Sequence, residues 1–478
     1  MNYPAHDSSL RRTAYTLLII AAAAIAAARI ASVTRLPMAT FADNDRSRWA
    51  TVQALVDHGT YAIGRRTGQR DPQGKPIDEG LVTDDGWQTI DKVLRPDNQS
   101  FYSSKPPLLA TVVAGEYWLL KRTAGWSIMA DRWRVVPAIL FTFNWIPLIA
   151  YLVLLVRLVE RFGTTDWGRL FIVVAGSFAT SLTTFMNTLN NHTLATCAAL
   201  FALYPFMRIW YDQTVNGNLY LTAGFFAGVT AALELPAAAL VALLGLTLLV
   251  RNPMRTLLLF APAALVPLAV FFATNYLAVG RWSPAYAEFG GPWYEFEGSV
   301  WAIQPGEMKQ GIDWAYQTEG PLRYAFHVLV GHHGIFSLSP IYLLALGGAL
   351  SSLLNAFTTA AEQAQGGLQP RCANFKVVAA LTIALSGIVV GFYIFGVNER
   401  NRNYGGWTNG LRWLMWLTPL WLTAMLPAVD WLSGRRWGRW MAYAFLAASI
   451  FSASYLPSNP WRHPWLYDLM ESGGWIRY

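Results

Sequence analysis

Cysteine is nearly missing: the 478 residues contain two, Cys197 in an apolar run and Cys372 in a short basic loop. No disulfide framework is expected from that pair, and no Cys/His spacing reads as a structural metal site. Charge is scarce too. Asp, Glu, Lys and Arg make up 13% of the chain, about half the share in soluble domains, which excludes an ordinary soluble fold. The net charge of +8 does not point to nucleic acid, because the basic residues are scattered over short loops and form no stripe. Heptads, a repeat of fixed period and a separate soluble domain are also absent.

What is present is apolar and aromatic. Hydrophobic residues make up 54% of the chain, with 22 Trp and 21 Tyr, which suits interfacial aromatic belts. Apolar segments lie near 13–33, 135–156, 168–187, 191–210, 218–233, 235–250, 255–277, 335–354, 376–396, 411–429 and 437–455. Crossing a bilayer takes ~20 such residues, so the pattern predicts an all-α polytopic membrane protein with about eleven spans. As one helix, 218–250 would run ~50 Å against a ~30 Å hydrocarbon core, so Glu234 and Pro236 are read as a break between two short helices. Arg11-Arg12 before the first apolar run would also suit a signal peptide. The many later spans favour a retained first helix. One transmembrane domain then covers 1–455, with a short aromatic-rich outer tail at 456–478.

Lys and Arg in short loops set the orientation. Arg157, Arg161, Arg169, Arg208, Arg251 and Arg255 fall on one side if the N-terminus is cytoplasmic. That assignment requires 107–121 to lie at the outer interface without crossing. The scarcity of cysteine pairs in outer loops fits a bacterial plasma membrane. The outer face then collects the polar loop 34–106, the Asn187–His192 stretch, Glu234, a second loop at 280–334 and the Asn398–Arg412 stretch. The first loop holds 20 of the chain's 64 formal charges.

Several residues in these outer segments are candidates, each with a plainer alternative. Asn44-Asp45-Arg46 opens a predicted amphipathic helix, where Asp45 is either a simple cap or a carboxylate held just above the bilayer. Lys105, in Ser104-Lys105-Pro106-Pro107, is either a snorkelling cation or a partner for a lipid phosphate. His192 opens the 191–210 span and reads first as a satisfied histidine beside an Asn cap. Glu234 would cost ~2.5–3.5 kcal/mol at mid-membrane and much less at a hairpin tip. His327, His332 and His333 match no metal signature and read as capping or hydrogen-bonding groups. In the Gly-rich stretch after Asn398, Arg402 and Arg412 suit bidentate phosphate binding, or snorkel from an ordinary turn.

Taken in order, these features resemble a family. A first helix, an outer loop with Asp45 near its start, and Lys105-Pro106-Pro107-Leu108 before the next apolar segment are similar to the membrane-embedded GT-C glycosyltransferases. The likeness is greatest to the protein-mannosyltransferase and aminoarabinose-transferase-like branch. The strings Phe272-Ala273-Thr274-Asn275-Tyr276-Leu277, Gly334-Ile335-Phe336-Ser337 and Gly405-Gly406-Trp407 add to it. Where many relatives carry an Asp-Glu pair, this chain reads Asp43-Asn44-Asp45, so the catalytic carboxylate is Asp45, Asp43 or, third, Asp91.

The resemblance implies transfer of a sugar from a polyprenyl-phosphate donor to a lipid, glycan or protein acceptor on the extracytoplasmic face. Lys105, Arg402 and Arg412 would hold the donor phosphate. Glu234 joins Asp45 and Asp43 as a catalytic candidate, with His192, His332 and His333 in a second tier. A divalent cation is compatible with this chemistry, though no residue pattern demands one. The rival readings are a transporter or lipid flippase, which predicts paired broken helices in two repeats, and a non-catalytic scaffold.

Overall fold

The structure, a computed structural model, describes residues 5–32, 42–83, 87–354, 375–455 and 459–478. Cys372 lies outside the described residues. Helix α1 spans Ala5–Ser32, and its Arg11 Nε meets Glu160 Oε1 at 2.7 Å, where Tyr15 OH also donates at 2.7 Å. Glu160 belongs to the long helix α2, Arg132–Phe162. The other helices long and apolar enough to cross a membrane are α3 (Asn191–Tyr211), α4 (Pro253–Val279) and α5 (Lys376–Gly396). With α1 and α2 they make five such helices among the described residues, and the chain is a multi-pass membrane protein. Gly217–Leu233, Leu235–Arg251 and Ile341–Leu354 are apolar but shorter.

Each of the eleven expected segments carries a helix, but five of those helices are long and apolar enough to cross a membrane, and two of the others begin or end away from the expected bounds. The apolar stretch read as 168–187 is helical only over Asp166–Phe178. Beyond it, the buried side chains of Thr180, Thr184, Asn187, Thr188 and Asn190 line a non-helical segment. The stretch at 411–429 becomes α-helix only at Thr418–Ser433, after a tight 3-10 turn at Arg412–Leu417. Glu234 does break the chain: its backbone is extended, φ −134°, between Gly217–Leu233 and the turn at Leu235–Ala237.

Small residues let the helices approach. A Cβ on Gly224 would stand 2.1 Å from the Phe260 carbonyl oxygen, and one on Gly348 would stand 2.1 Å from that of Ala424. Contacts this close hold Gly217–Leu233 against α4, and Ile341–Leu354 against Thr418–Ser433.

The first polar loop is not helical throughout. It carries a four-stranded antiparallel sheet, β1 (Gly64–Arg70), β2 (Pro76–Glu79), β3 (Lys92–Arg95) and β4 (Ser100–Ser103), in the order β2-β1-β4-β3. The β3–β4 register pairs Lys92 with Ser103 and so sets Asp91 beside Ser104 and Lys105. Pro106 is extended and Pro107 starts the helix Pro107–Ala124, as a proline at the first helical position favours. Helix Asp43–Gln53 departs from the amphipathic reading. Asn44, Asp45, Ser47, Arg48, Thr51 and Gln53 are buried along with Trp49 and Val52, so protein surrounds it on all sides.

Candidate functional site

Asp45 is fully buried in the first turn of Asp43–Gln53. Its Oδ1 accepts from Leu189 N at 2.9 Å and its Oδ2 from Trp461 Nε1 at 2.7 Å. Burial pushes its carboxyl up, against Arg48, these two N–H donors and Arg412. Arg48 lies one turn along the same helix. It donates to Asn44 O at 3.2 Å, to Asn44 Oδ1, and to Asn191 Oδ1 at 2.7 Å. Asn191 Nδ2 donates to Glu234 Oε1 at 2.7 Å and to Leu233 O at 2.8 Å.

Glu234 Oε1 also meets His192 Nδ1. On the far side of the imidazole, His192 Nε2 faces Arg412 Nη1 at 3.3 Å. A guanidinium only donates, so Nε2 is the acceptor and the proton sits on Nδ1, toward Glu234. Arg412 Nη2 donates to Gly405 O at 2.9 Å, and its guanidinium lies 4.8 Å from the Trp461 ring centroid. The hydrogen-bond acceptors of both Arg48 and Arg412 are thus neutral, and Arg412 Nε has no partner among the described residues. Burial holds Arg48 down to about 10. A buried guanidinium at Arg48 and a half-buried one at Arg412, both on neutral acceptors, are costly to maintain unless an anion joins them.

Lys105 completes the cationic group. Its Nζ lies 2.9 Å from Asp91 Oδ1. Burial lowers its ammonium; Asp91 opposes this, while Arg412 and Arg48 reinforce it. Asp91 O accepts from Ser47 Oγ at 2.6 Å and Ser104 N at 3.1 Å, which ties the sheet to Asp43–Gln53. A cavity of about 20 Å³ adjoins Lys105, lined also by Thr51, Tyr61, Ser103 and Asn275.

Asp313, from the loop at 280–334, was not anticipated. It is half-buried and pushed up to about 7, by burial first and then by Asp91, against Arg412 and Lys105. A Cβ on Gly406 would stand 2.8 Å from its Oδ1, so glycine there lets the 403–412 loop approach the carboxylate.

The other predicted residues are distributed unevenly. Asp43 Oδ1 accepts from Ile90 N at 3.0 Å, and its carbonyl accepts from Thr89 Oγ1 at 2.7 Å, so it braces the sheet's approach. Arg402 faces Glu399 at 3.9 Å. His332 and His333 belong to a second buried cluster, around Glu319. Glu319 accepts from Tyr404 OH at 2.5 Å and Tyr478 OH at 2.8 Å, and meets Arg323 Nε at 3.1 Å. Because the Tyr478 proton points at Glu319, His332 Nε2–H donates to the Tyr478 oxygen at 2.7 Å. His332 Nδ1 then accepts from His333 Nδ1–H at 2.5 Å. Among the described residues no three His, Cys, Asp or Glu side chains are placed to hold a metal ion.

No protein-family model matches the sequence, and no curated protein matches it. Among solved structures the chain is similar to the oligosaccharyltransferase of Archaeoglobus fulgidus in its apo form, at 10% identity and a TM-score of 0.44. The match covers 93% of this chain and 56% of that one, so the chain spans little more than half the length of that protein.

Proposed function

We propose that this protein is a membrane glycosyltransferase of the GT-C type. It moves a sugar from a polyprenyl-phosphate donor to a lipid, glycan or protein acceptor on the extracytoplasmic face. The observation that carries this reading is the convergence of Arg48, Arg412 and Lys105, the first two on neutral acceptors and Arg48 buried, with Asp45, Asp91 and Asp313. When the bond between the sugar's anomeric carbon and the phosphate breaks, the bonding electrons leave with the phosphate oxygen. The three cations stabilise that charge where it develops. The acceptor atom forms the new bond to the anomeric carbon and loses its proton.

Both Asp45 oxygens already accept hydrogen bonds and neither is exposed, so Asp45 is proposed to balance the charge of Arg48 and Arg412 from beneath the site. Asp313, poised near neutrality, is the proposed proton acceptor. Glu234 and His192 hold Arg412, and Asp43 and Asp91 hold the sheet and Lys105.

The test is binding of a polyprenyl monophosphate to the full chain in detergent, wild type against Arg412→Ala and Lys105→Ala, followed by turnover of labelled polyprenyl-phosphate sugars. Saturable binding that weakens at least tenfold in Arg412→Ala, with turnover in the wild type, is expected. Wild-type affinity in both folded variants would refute the phosphate site. Movement of donor across vesicles without turnover would favour a flippase.

A further inference from the structure

Trp461 comes from the segment after the helix Arg436–Ser454, far in sequence from every residue it serves. Pro460 precedes it, and Pro460 O accepts from Asn409 N at 2.9 Å, which docks this segment onto the 403–412 loop. Phe185 packs edge-on to its indole, with centroids 5.5 Å apart. The indole is nearly buried and makes two different contacts. Its one N–H donates to Asp45 Oδ2 at 2.7 Å. Its ring lies 4.8 Å from the Arg412 guanidinium carbon.

Each contact supplies something the rest of the site lacks. Leu189 N–H satisfies only Asp45 Oδ1, so without the indole Oδ2 would be a buried carboxylate oxygen one donor short. Arg412 is held through Nη1 by His192 and through Nη2 by Gly405 O. Two in-plane bonds fix a guanidinium's edge; an aromatic face against it adds a restraint on its plane.

We propose that Trp461 is a positioning residue of the transfer site, its N–H fixing the Asp45 carboxylate and its ring fixing the Arg412 plane. This rests on the glycosyltransferase reading. The tail thereby completes a site otherwise made by Asp43–Gln53, α3 and the 403–412 loop.

Two substitutions separate the contacts. Trp461→Phe keeps a ring face and loses the N–H; Trp461→Leu loses both. The ligand arm measures polyprenyl monophosphate affinity of the full chain in detergent. Leu should bind about tenfold more weakly than Phe, and that gap should close when Arg412→Ala is added. Equal affinities for Leu and Phe, or a gap that survives Arg412→Ala, would overturn the ring contact.

The second arm needs no ligand. It is a thermal-unfolding cycle of Trp461→Phe with Asp45→Ala, with Asp45→Leu, which likewise has no acceptor, as the substitute if the alanine chain does not fold. Trp461→Phe should lower the midpoint clearly in the wild-type background and far less once Asp45 is gone. Additive shifts would mean the indole only packs, and would overturn the N–H role. If wild type binds no polyprenyl phosphate and the cycle is still coupled, the function reading fails while the positioning of Asp45 stands.

Discussion

Asp313 and Asp45 are both aspartates beside the same cations, yet their surroundings suit them to different work. Asp45 has a donor on each oxygen and no exposed surface. Asp313 is half-buried and lies at about 7 because burial and the Asp91 charge disfavour its ionised form. A base is competent only when deprotonated. If Asp313 accepts the acceptor's proton, turnover rises with pH up to about 7 and levels above it. The expected result for Asp313→Asn is a loss of ~10²–10⁴-fold in turnover together with loss of that acid limb, read from rates on a labelled polyprenyl-phosphate sugar between pH 5 and 9. An unchanged limb in the Asn variant would assign the ionisation to another group. The same raised value makes Asp313 a stability liability. Its protonated form favours the fold below the ordinary carboxylate range, and that contribution is lost as pH rises through about 7.

Helix packing sets the frame around these residues, and the glycines test it. Gly224 meets the Phe260 backbone at 2.1 Å from where a Cβ would be, whereas a Cβ on Gly347 would meet nothing within 4 Å. Alanine is better than glycine in a helix by ~1 kcal/mol. Gly347→Ala should therefore raise the melting midpoint in detergent. Gly224→Ala should lower it, because forcing two backbones apart costs ~1–3 kcal/mol or more. Matching shifts in the two variants would show that Gly217–Leu233 and α4 are not packed as described. The long apolar helices and the break at Glu234 were legible from hydropathy and length. The sheet was not. Gly64–Arg70 reads Gly-Arg-Arg-Thr-Gly-Gln-Arg, with no apolar alternation to betray a strand. The over-long span at 168–187 has a different cause: Ala179, Leu182, Phe185 and Met186 keep it apolar, while Thr188 Oγ1 and Asn190 Nδ2 bond the Phe185 carbonyl and support a non-helical backbone.

At the scale of the whole chain, the site is assembled by pieces that sequence distance hides. His192 and Glu234 were each visible, but 42 positions separate them, and only the packing of α3 beside Gly217–Leu233 makes them a pair. Asp313 and Trp461 had no local signal at all. One sits in an irregular loop and the other between prolines in an aromatic-rich tail. Two of that tail's ties reach the buried clusters, Trp461 at Asp45 and Tyr478 at Glu319 and His332. The second tie is directional: Tyr478 donates to a carboxylate and accepts from an imidazole, so one hydroxyl satisfies two buried groups. Removing it strands the imidazole N–H and takes one of three partners from Glu319. Tyr478→Phe keeps the ring stacked on Tyr467 but leaves Glu319 Oε1 and His332 Nε2–H each a partner short, at ~1–3 kcal/mol for the stranded imidazole. Because Tyr404 OH also holds Glu319, and Gly405 O holds Arg412, the damage should spread along the 403–412 loop. The expected outcome is faster limited proteolysis of the tail, a lower melting midpoint, and polyprenyl phosphate affinity reduced by less than in Arg412→Ala. A tail cleaved at the wild-type rate in Tyr478→Phe would show that its other ties, Trp461 at Asp45 and Pro460 at Asn409 among them, are sufficient to hold it.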